Sequence, residues 1–498
     1  CGLTHGYLKG DEFHQAAAKA WNYLRNTALQ ADGSIGYVQP IGEKPDPTKI
    51  VDAHSQAPFG TGAWLLAACE RVRYLNGVSI NPAEIKPGQP RCEATRIRKN
   101  ELAVKFTVNN PNGDMRNELV ELKAQEVFDQ LSLAGGRQFI VLNGDGVEVP
   151  YQLTSDGRIL VQTFVAPGQI QEFTIVRGEP KTYRLDCNGR IYPNREDDLA
   201  WENDRNAWRF YGPKMHNKGV NGFDIFTKNV AYPIQDVLYQ SELTSYGVNE
   251  QLKKQGRGGE WNQLHRDNYT YHRDKGLGMD AYTVGATLGA GAPALLCGND
   301  LILPDVYEKL EIVENGPLRF AVRQQMCEVT PSLTEHRLIS QDRGSHLARV
   351  EVVQQVSLGA QEQEKDKTQA QVLQCKPCAG IVVHETQPQA YVINKKAGYV
   401  AYADALDTPK GQNGQLYIAC LFPPQVSGSV TLQYLPMKEK QSGGVGHVLG
   451  VSQQPLTKGF TYYVGTAWSK YDVPTMQVWQ TLLQGYADNL KLPLIVEM

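Results

Sequence analysis

Apolar and polar positions change their period along the chain. Near the amino terminus Phe13, Ala16, Ala17, Ala20, Trp21 and Leu24 recur three and four residues apart. That spacing places them on one face of a helix. Trp64 to Tyr74 repeats the pattern after Gly60-Thr-Gly62. A Pro/Gly-rich join from Asn76 to Pro90, with Pro82 and Pro87, then predicts a boundary. From about Arg91 the period is two. Leu102 to Val108 alternates and runs into the turn Asn109 to Gly113. Runs at 139–142, 147–151, 159–164 and 172–176 follow, with Gly-Asp-Gly and Pro-Gly turns between them. They predict a small antiparallel sandwich over 91–180. Strand-like runs return at 320–326, 348–358, 380–384, 417–422 and 429–434. The lack of regular βα alternation argues against a parallel α/β fold. A last helix is expected from Thr475 to Lys491, with Val478, Leu482, Leu483, Tyr486 and Leu490 roughly along one face. The expected fold is mainly β. It has a helical piece over 1–76, a small sandwich over 91–180, and a large two-sheet sandwich, or alternatively a barrel, with a C-terminal helix over 184–498.

Composition narrows the partners. The 498 residues suffice for two to four domains, and their net charge of -3 gives no reason to expect nucleic acid or an anionic membrane. No apolar run approaches the roughly 18 residues needed to cross a bilayer. Nine cysteines, odd in number and dispersed, do not read as a disulfide framework. Cys375-Lys-Pro-Cys378 has no second pair nearby to complete a zinc site, so it reads as the end of a strand, with a redox or metal element as the alternative. No H-E-x-x-H, Walker or dinucleotide pattern occurs, and no cofactor or metal is expected from motifs. A calcium site of carboxylates and carbonyls leaves no such signature.

Two family resemblances add to this. Cys1 to Leu8, Ala18 to Leu24, Asp32 to Gly42 and Gly60-Thr-Gly-Ala-Trp64 to Glu70 resemble the C-terminal end of the unsaturated glucuronyl and rhamnogalacturonyl hydrolases, glycoside hydrolase family 105 and its relatives. The family forms an (α/α)6 barrel, of which the last two or three helices are matched. Its catalytic aspartate lies earlier in the barrel, outside the matched part. The resemblance therefore implies a pathway, the breakdown of uronic-acid polysaccharides such as pectin and rhamnogalacturonan. It implies a hydrolase barrel as a candidate partner. A secretion signal would stand upstream, with a periplasmic or extracellular location.

The second resemblance rests on Asp197 to Arg205, Trp208 to Pro213, Asn221 to Asp224, Tyr271 to Gly276, Gly278 to Gly291, Asn315 to Phe320 and Tyr462 to Trp468. These segments resemble a bacterial domain family of unknown function, numbered 4861, often found beside those hydrolases. The resemblance implies a galactose-mutarotase-like supersandwich. It implies no settled reaction.

Candidate chemistry is densest between Trp201 and Tyr282. A uronide needs a cation for its carboxylate, an aromatic plane for its sugar face, and an acid and base at the reacting carbon. Arg205, Arg209 and Lys214 supply cations, while Trp201, Trp208, Tyr211 and Trp261 supply planes. His272, His216, Tyr282 and Asp280 are the candidate catalytic groups, with His265 beside them. Each has a plainer reading. Arg205 and Arg209 can pair with Glu202 or Asp204, and His216 and His272 can be surface-loop histidines. The glycines from Gly285 to Gly291 can serve ligand approach or tight packing. Glu335, His336 and His346 read as satisfied structural groups. His384 ends an apolar strand, a position from which it can project into a sandwich cleft.

Two function classes compete. One is an enzyme on uronic-acid oligosaccharides, through lyase chemistry with a Tyr or His base or hydrolysis with a carboxyl pair. The other is a non-catalytic carbohydrate-binding module.

Overall fold

The computed structural model describes residues 10–30, 34–38, 51–53, 55, 58–76, 95, 101–133, 138–327, 329, 333–356, 374–406 and 412–498. The Pro/Gly join and most of the loop from Tyr37 to Gly42 lie outside them. The chain divides into two compact units, Cys1–Cys92 and Glu93–Met498.

The first unit is helical. The helix Asp11–Tyr23 continues into a π-turn, Leu24–Ala28, and a second helix spans Pro58–Asn76. Proline suits the first helical position, whose N–H has no intrahelical partner. The second helix thus starts ahead of the Gly-Thr-Gly motif rather than after it. Trp21 and Trp64 meet with ring centroids 6.0 Å apart, and Trp64 Nε1 donates to the Leu24 carbonyl at 3.1 Å. No residue of the first helix is fully buried, and Leu65 and Leu66 of the second are exposed.

The second unit is mostly β. Its smaller sandwich packs a five-stranded sheet on a three-stranded one. In the strand Ala103–Asn109, Val104, Phe106 and Val108 point inward and alternate with Lys105 and Thr107, as the period-2 pattern requires. Phe106 stacks on Phe173 at 4.9 Å. Two features depart from expectation. A short helix, Ala124–Gln130, interrupts the strands. The edge beside Ala103–Asn109 is filled by the C-terminal strand Ile495–Glu497, so the far end of the chain returns to the small sandwich. Arg116 secures the return through Nη1 to the Leu492 carbonyl, 2.6 Å away.

The large sandwich pairs an eight-stranded antiparallel sheet with a five-stranded one. Leu333–Asp342 alternates buried and partly exposed positions along its whole length. The five-stranded sheet carries Ala290–Cys297, Lys376–His384 and Gly444–Ser452. The C-terminal helix runs Met476–Lys491, and Thr475 caps it by accepting from the Val478 N–H at 3.3 Å. Its buried face is Trp479, Leu483 and Ala487, packed on Tyr399, Ala401, Ala419 and Leu421. Val478, expected on that face, is exposed.

The cysteines depart from the sequence reading. Cys297 and Cys375 form a disulfide, whereas Cys378 is free and buried. The glycines after Tyr282 serve packing. Gly289 sits at φ 54°, and a Cβ there would lie 2.3 Å from the Phe223 carbonyl oxygen.

Candidate functional site

A further five-stranded sheet orders the strands Gly278–Asp280, Asp224–Lys228, Ala207–Phe210, Asp198–Glu202 and Asn188–Tyr192. Successive side chains on a strand face opposite ways. Leu199, Trp201, Trp208, Phe210, Ile225 and Met279 enter the main core. Ala200, Ala207 and Phe226 face the other way, toward the helix Gln235–Lys254, whose Leu238 and Tyr239 cover them. Arg209 pairs in register with Asp224 on one side and Ala200 on the other, and Phe226 pairs with Asp280. Asp198, Glu202, Arg209, Asp224, Lys228 and Asp280 therefore share the helix-covered face.

At one end of this face Lys228 Nζ meets Glu202 at 2.7 Å, both side chains almost wholly buried. Glu202 also accepts from the N–H groups of Ile234 and Gln235 at 2.9 and 2.8 Å. One carboxylate thus balances a buried cation and caps the helix start, where free N–H groups favour an anion.

At the other end Arg209 is the hub. It forms a bidentate contact with Asp224 Oδ2, through Nε at 2.9 Å and through Nη2. Nη2 also lies 2.9 Å from Asp280 Oδ2 and donates to the Tyr211 hydroxyl at 3.1 Å. Nη1 reaches the Tyr271 hydroxyl at 3.4 Å. Tyr211 in turn donates to Asp224 Oδ2 at 2.7 Å. Burial pushes the Asp280 carboxyl up to about 6, against the opposing pull of Arg209. Burial likewise pushes Asp198 up to about 7, against Arg209 and Arg195 and with help from the Asp224 charge.

His272 opens this network to solvent. Its side chain is 58% exposed, with Nδ1 2.9 Å from the Asp280 carbonyl and 3.7 Å from Asp280 Oδ2. Arg209, Tyr211, Asp280 and His272 are thus brought together. The arrangement is an exposed imidazole held at Nδ1 by the Asp280 backbone carbonyl, with the buried Asp280 carboxyl 3.7 Å away.

The other sequence candidates lie elsewhere. The Trp201 ring is enclosed by Trp208, Phe320 and Phe223 and is 1% exposed, so it has no face to give a sugar. Arg205 pairs with Asp472 at 2.9 Å, and His346 shares that carboxylate at 3.0 Å. Arg209 spends its donors on internal oxygens, so neither guanidinium is set out for a substrate carboxylate. Lys214 is exposed and holds the Pro193 carbonyl at 2.7 Å, while His216 pairs with Asp305 at 2.7 Å. Trp261 stacks on His265 and donates to the Ser245 carbonyl, fastening its turn to the long helix. Tyr282 is buried on the core side, beside His384.

Sequence reasoning missed Asp198, Asp224, Arg195 and Tyr271. For Asp198 the available signal was the alternation of the large apolar Leu199 and Trp201 with Asp198, Ala200 and Glu202, which sets the two carboxyl groups on the opposite face. A hollow of about 600 Å³ lies over the long helix, lined by residues including Arg190, Gln240, Ser241, Thr244, Asn268 and Tyr269. Among the described residues no cluster of His, Cys, Asp and Glu could hold a metal, and no helix is long and apolar enough to cross a membrane.

Comparison with known proteins separates the two units. Residues 1–75 match the family model Glycosyl Hydrolase Family 88. An unsaturated 3S-rhamnoglycuronyl hydrolase of Formosa agariphila is 39% identical over 69 residues, 14% of this chain and 17% of that protein. A solved Glycosyl hydrolase family 88 protein from Bacteroides vulgatus is 59% identical over 15% of this chain and 21% of its own, with a TM-score of 0.14. The chain thus spans about a fifth or less of these hydrolases, and this match is what makes it carbohydrate-related. Uncharacterized protein P7 of Formosa agariphila is 23% identical over 395 residues, covering 76% of this chain and 87% of that protein. Residues 108–496, which carry both sandwiches and the Arg209 network, match the model for a domain of unknown function, and the chain belongs to that family, DUF4861.

Proposed function

We propose that the chain acts on uronic-acid-containing, pectin-like oligosaccharides, with His272 and Asp280 as its proton-transfer pair. The observation that carries this reading is the exposed His272 imidazole, set 3.7 Å from a buried carboxyl pushed up to about 6. An exposed imidazole is the side chain most often used to take a proton from a substrate and return it. Lyase chemistry fits better than a carboxyl-pair hydrolysis, because Asp224 and Asp280 are both buried against Arg209 rather than set open for a sugar. Arg273, next to His272, is exposed and stands 3.9 Å from Asp267, which leaves a loosely held cation beside the imidazole. The N-terminal similarity to rhamnoglycuronyl hydrolases supports the substrate class. The disulfide supports a periplasmic or extracellular location, where such bonds persist.

A second reading, a binding module, is favoured by the hollow over the long helix, where Arg190, Asp236 and Gln240 stand beside Val237 and Tyr269 and no histidine lines the wall. One experiment separates the two: the purified chain is incubated with saturated and unsaturated uronide oligosaccharides, and the products are weighed by mass spectrometry. New fragments with an ultraviolet-absorbing end support lyase action. Fragments heavier by water mean hydrolysis. Binding with unchanged mass refutes the enzymatic reading and favours the module.

A further inference from the structure

Tyr282 and His384 lie within the large sandwich, on the core side of the sheet that carries Arg209, and no step above uses them. His384 Nδ1 meets Asp404 Oδ2 at 2.6 Å, with both side chains more than nine-tenths buried. A carboxylate at Nδ1 holds the proton there, so Nε2 of the neutral ring carries the lone pair. The dyad is itself braced. Asp404 Oδ1 accepts from the Leu406 N–H at 2.7 Å, and the Tyr402 hydroxyl meets the His384 N–H at 3.1 Å. The Tyr282 ring approaches His384 edge-on, with centroids 5.7 Å apart.

Two atoms of this group have no hydrogen-bond partner: His384 Nε2 and the Tyr282 hydroxyl oxygen. Tyr282 is 5% exposed and His384 7%. Buried polar groups are nearly always bonded. One orphan is an acceptor and the other can donate or accept, a combination that a single hydroxyl group satisfies.

The surroundings suit a sugar. Tyr391 and Tyr434 stack at 5.1 Å, both only partly buried, and Tyr391 is the cross-strand partner of Tyr402. Leu406 and Ser442, both non-glycine, hold left-handed backbone at φ 51° and 49°. Leu406 is bonded to Asp404, and Ser442 precedes Gly443, whose carbonyl accepts from Glu385, the residue after His384. Ser442 and Gly443 form the two-residue hairpin turn between the paired Gln441 and Gly444, where positive φ is the favoured geometry.

We infer that His384, oriented by Asp404, and Tyr282 form a second saccharide-binding site, which grips one ring hydroxyl between Nε2 and the phenol. The ligand class rests on the carbohydrate reading above. The site itself rests on the two orphan atoms and the dyad.

The test uses the full chain with 15N-histidine, the His384 resonances being assigned by loss in His384→Gln. Glucuronic-acid and neutral galactose disaccharides are the probes. Nε2 of His384 is expected to shift on titration with saccharide and to stop shifting in Tyr282→Phe, while Asp404→Asn weakens saccharide affinity about tenfold. A shift with the neutral sugar alone keeps the site and sinks the uronide reading. Uronide binding by calorimetry that leaves His384 unmoved, with the same affinity in Tyr282→Phe, keeps the uronide reading and overturns this site. A His384 signal indifferent to every saccharide means that water alone satisfies the pair, and also overturns it.

Discussion

Asp198 offers a direct test of the buried carboxyl face. Its carboxyl rises from an ordinary 3.8 to about 7, with burial the largest cause. The difference is roughly 3 units, each worth about 1.4 kcal/mol. Ionising Asp198 above pH 7 thus costs the folded chain about 4 kcal/mol more than it costs the unfolded one. The folded value is the higher one, so the folded state binds the proton more tightly between about pH 4 and 7. The contribution to stability is present in full below that window and is lost as pH rises through it. Asn has nearly the shape of the protonated acid and carries no charge. Asp198→Asn is therefore expected to be close to neutral at pH 4 and to stabilise the chain at pH 8, the gap between the two being on the order of 3–4 kcal/mol. Urea unfolding can be followed by the fluorescence of Trp201, on the strand that bears Asp198, and of its cross-strand partner Trp208, both buried. Equal offsets at the two pH values, or a variant less stable at pH 8, would show that Arg195 and Arg209 outweigh the cost of burial.

Three further outcomes are expected. His272→Ala should lower turnover on a uronide substrate by about 10²–10⁴ while changing KM less; an unchanged initial rate removes His272 from the reaction. Glu202→Ala should cost about 3–5 kcal/mol in urea unfolding, because it strands the buried Lys228 cation and uncaps the long helix, and Lys228→Met in the same chain should recover most of the loss; a cost under about 1 kcal/mol contradicts the pairing. Cys297→Ser should lower stability by about 4 kcal/mol, as expected for a link across 78 residues, and adding reductant to the parent chain should reproduce the loss.

Legibility followed periodicity. The strand around Phe106 and the capped helix after Thr475 were readable because one face of each is apolar at a fixed spacing. Even there one member was misplaced: Val478 is exposed and Trp479 is buried, while Leu482, Leu483, Tyr486 and Leu490 pack on the expected side. The helix Gln235–Lys254 was not readable. Its buried positions include Gln235, Glu242 and Ser245, whose polar atoms are satisfied by Trp208, His265 and local backbone rather than by water. The site was half readable. Arg209, Tyr211, Asp280 and His272 stand in visibly polar segments, while Asp198 and Asp224 reach Arg209 only through cross-strand register and sheet packing, which no local window shows. The disulfide joins cysteines too distant for spacing to pair.

The return of Ile495–Glu497 to the strand Ala103–Asn109 has a consequence for the order of synthesis. Asn112 bonds Asn489 at a separation of 377 residues, so the small sandwich leaves the ribosome early but waits for the far end of the chain before its sheet edge is covered. Throughout translation that edge is an open template for another strand. The large sandwich must also be made in the interval, which puts its slow, long-range pairings before the completion of the small one. The two sandwiches therefore cannot mature strictly in the order in which they are translated, and the small one becomes complete only when residues beyond the C-terminal helix have emerged.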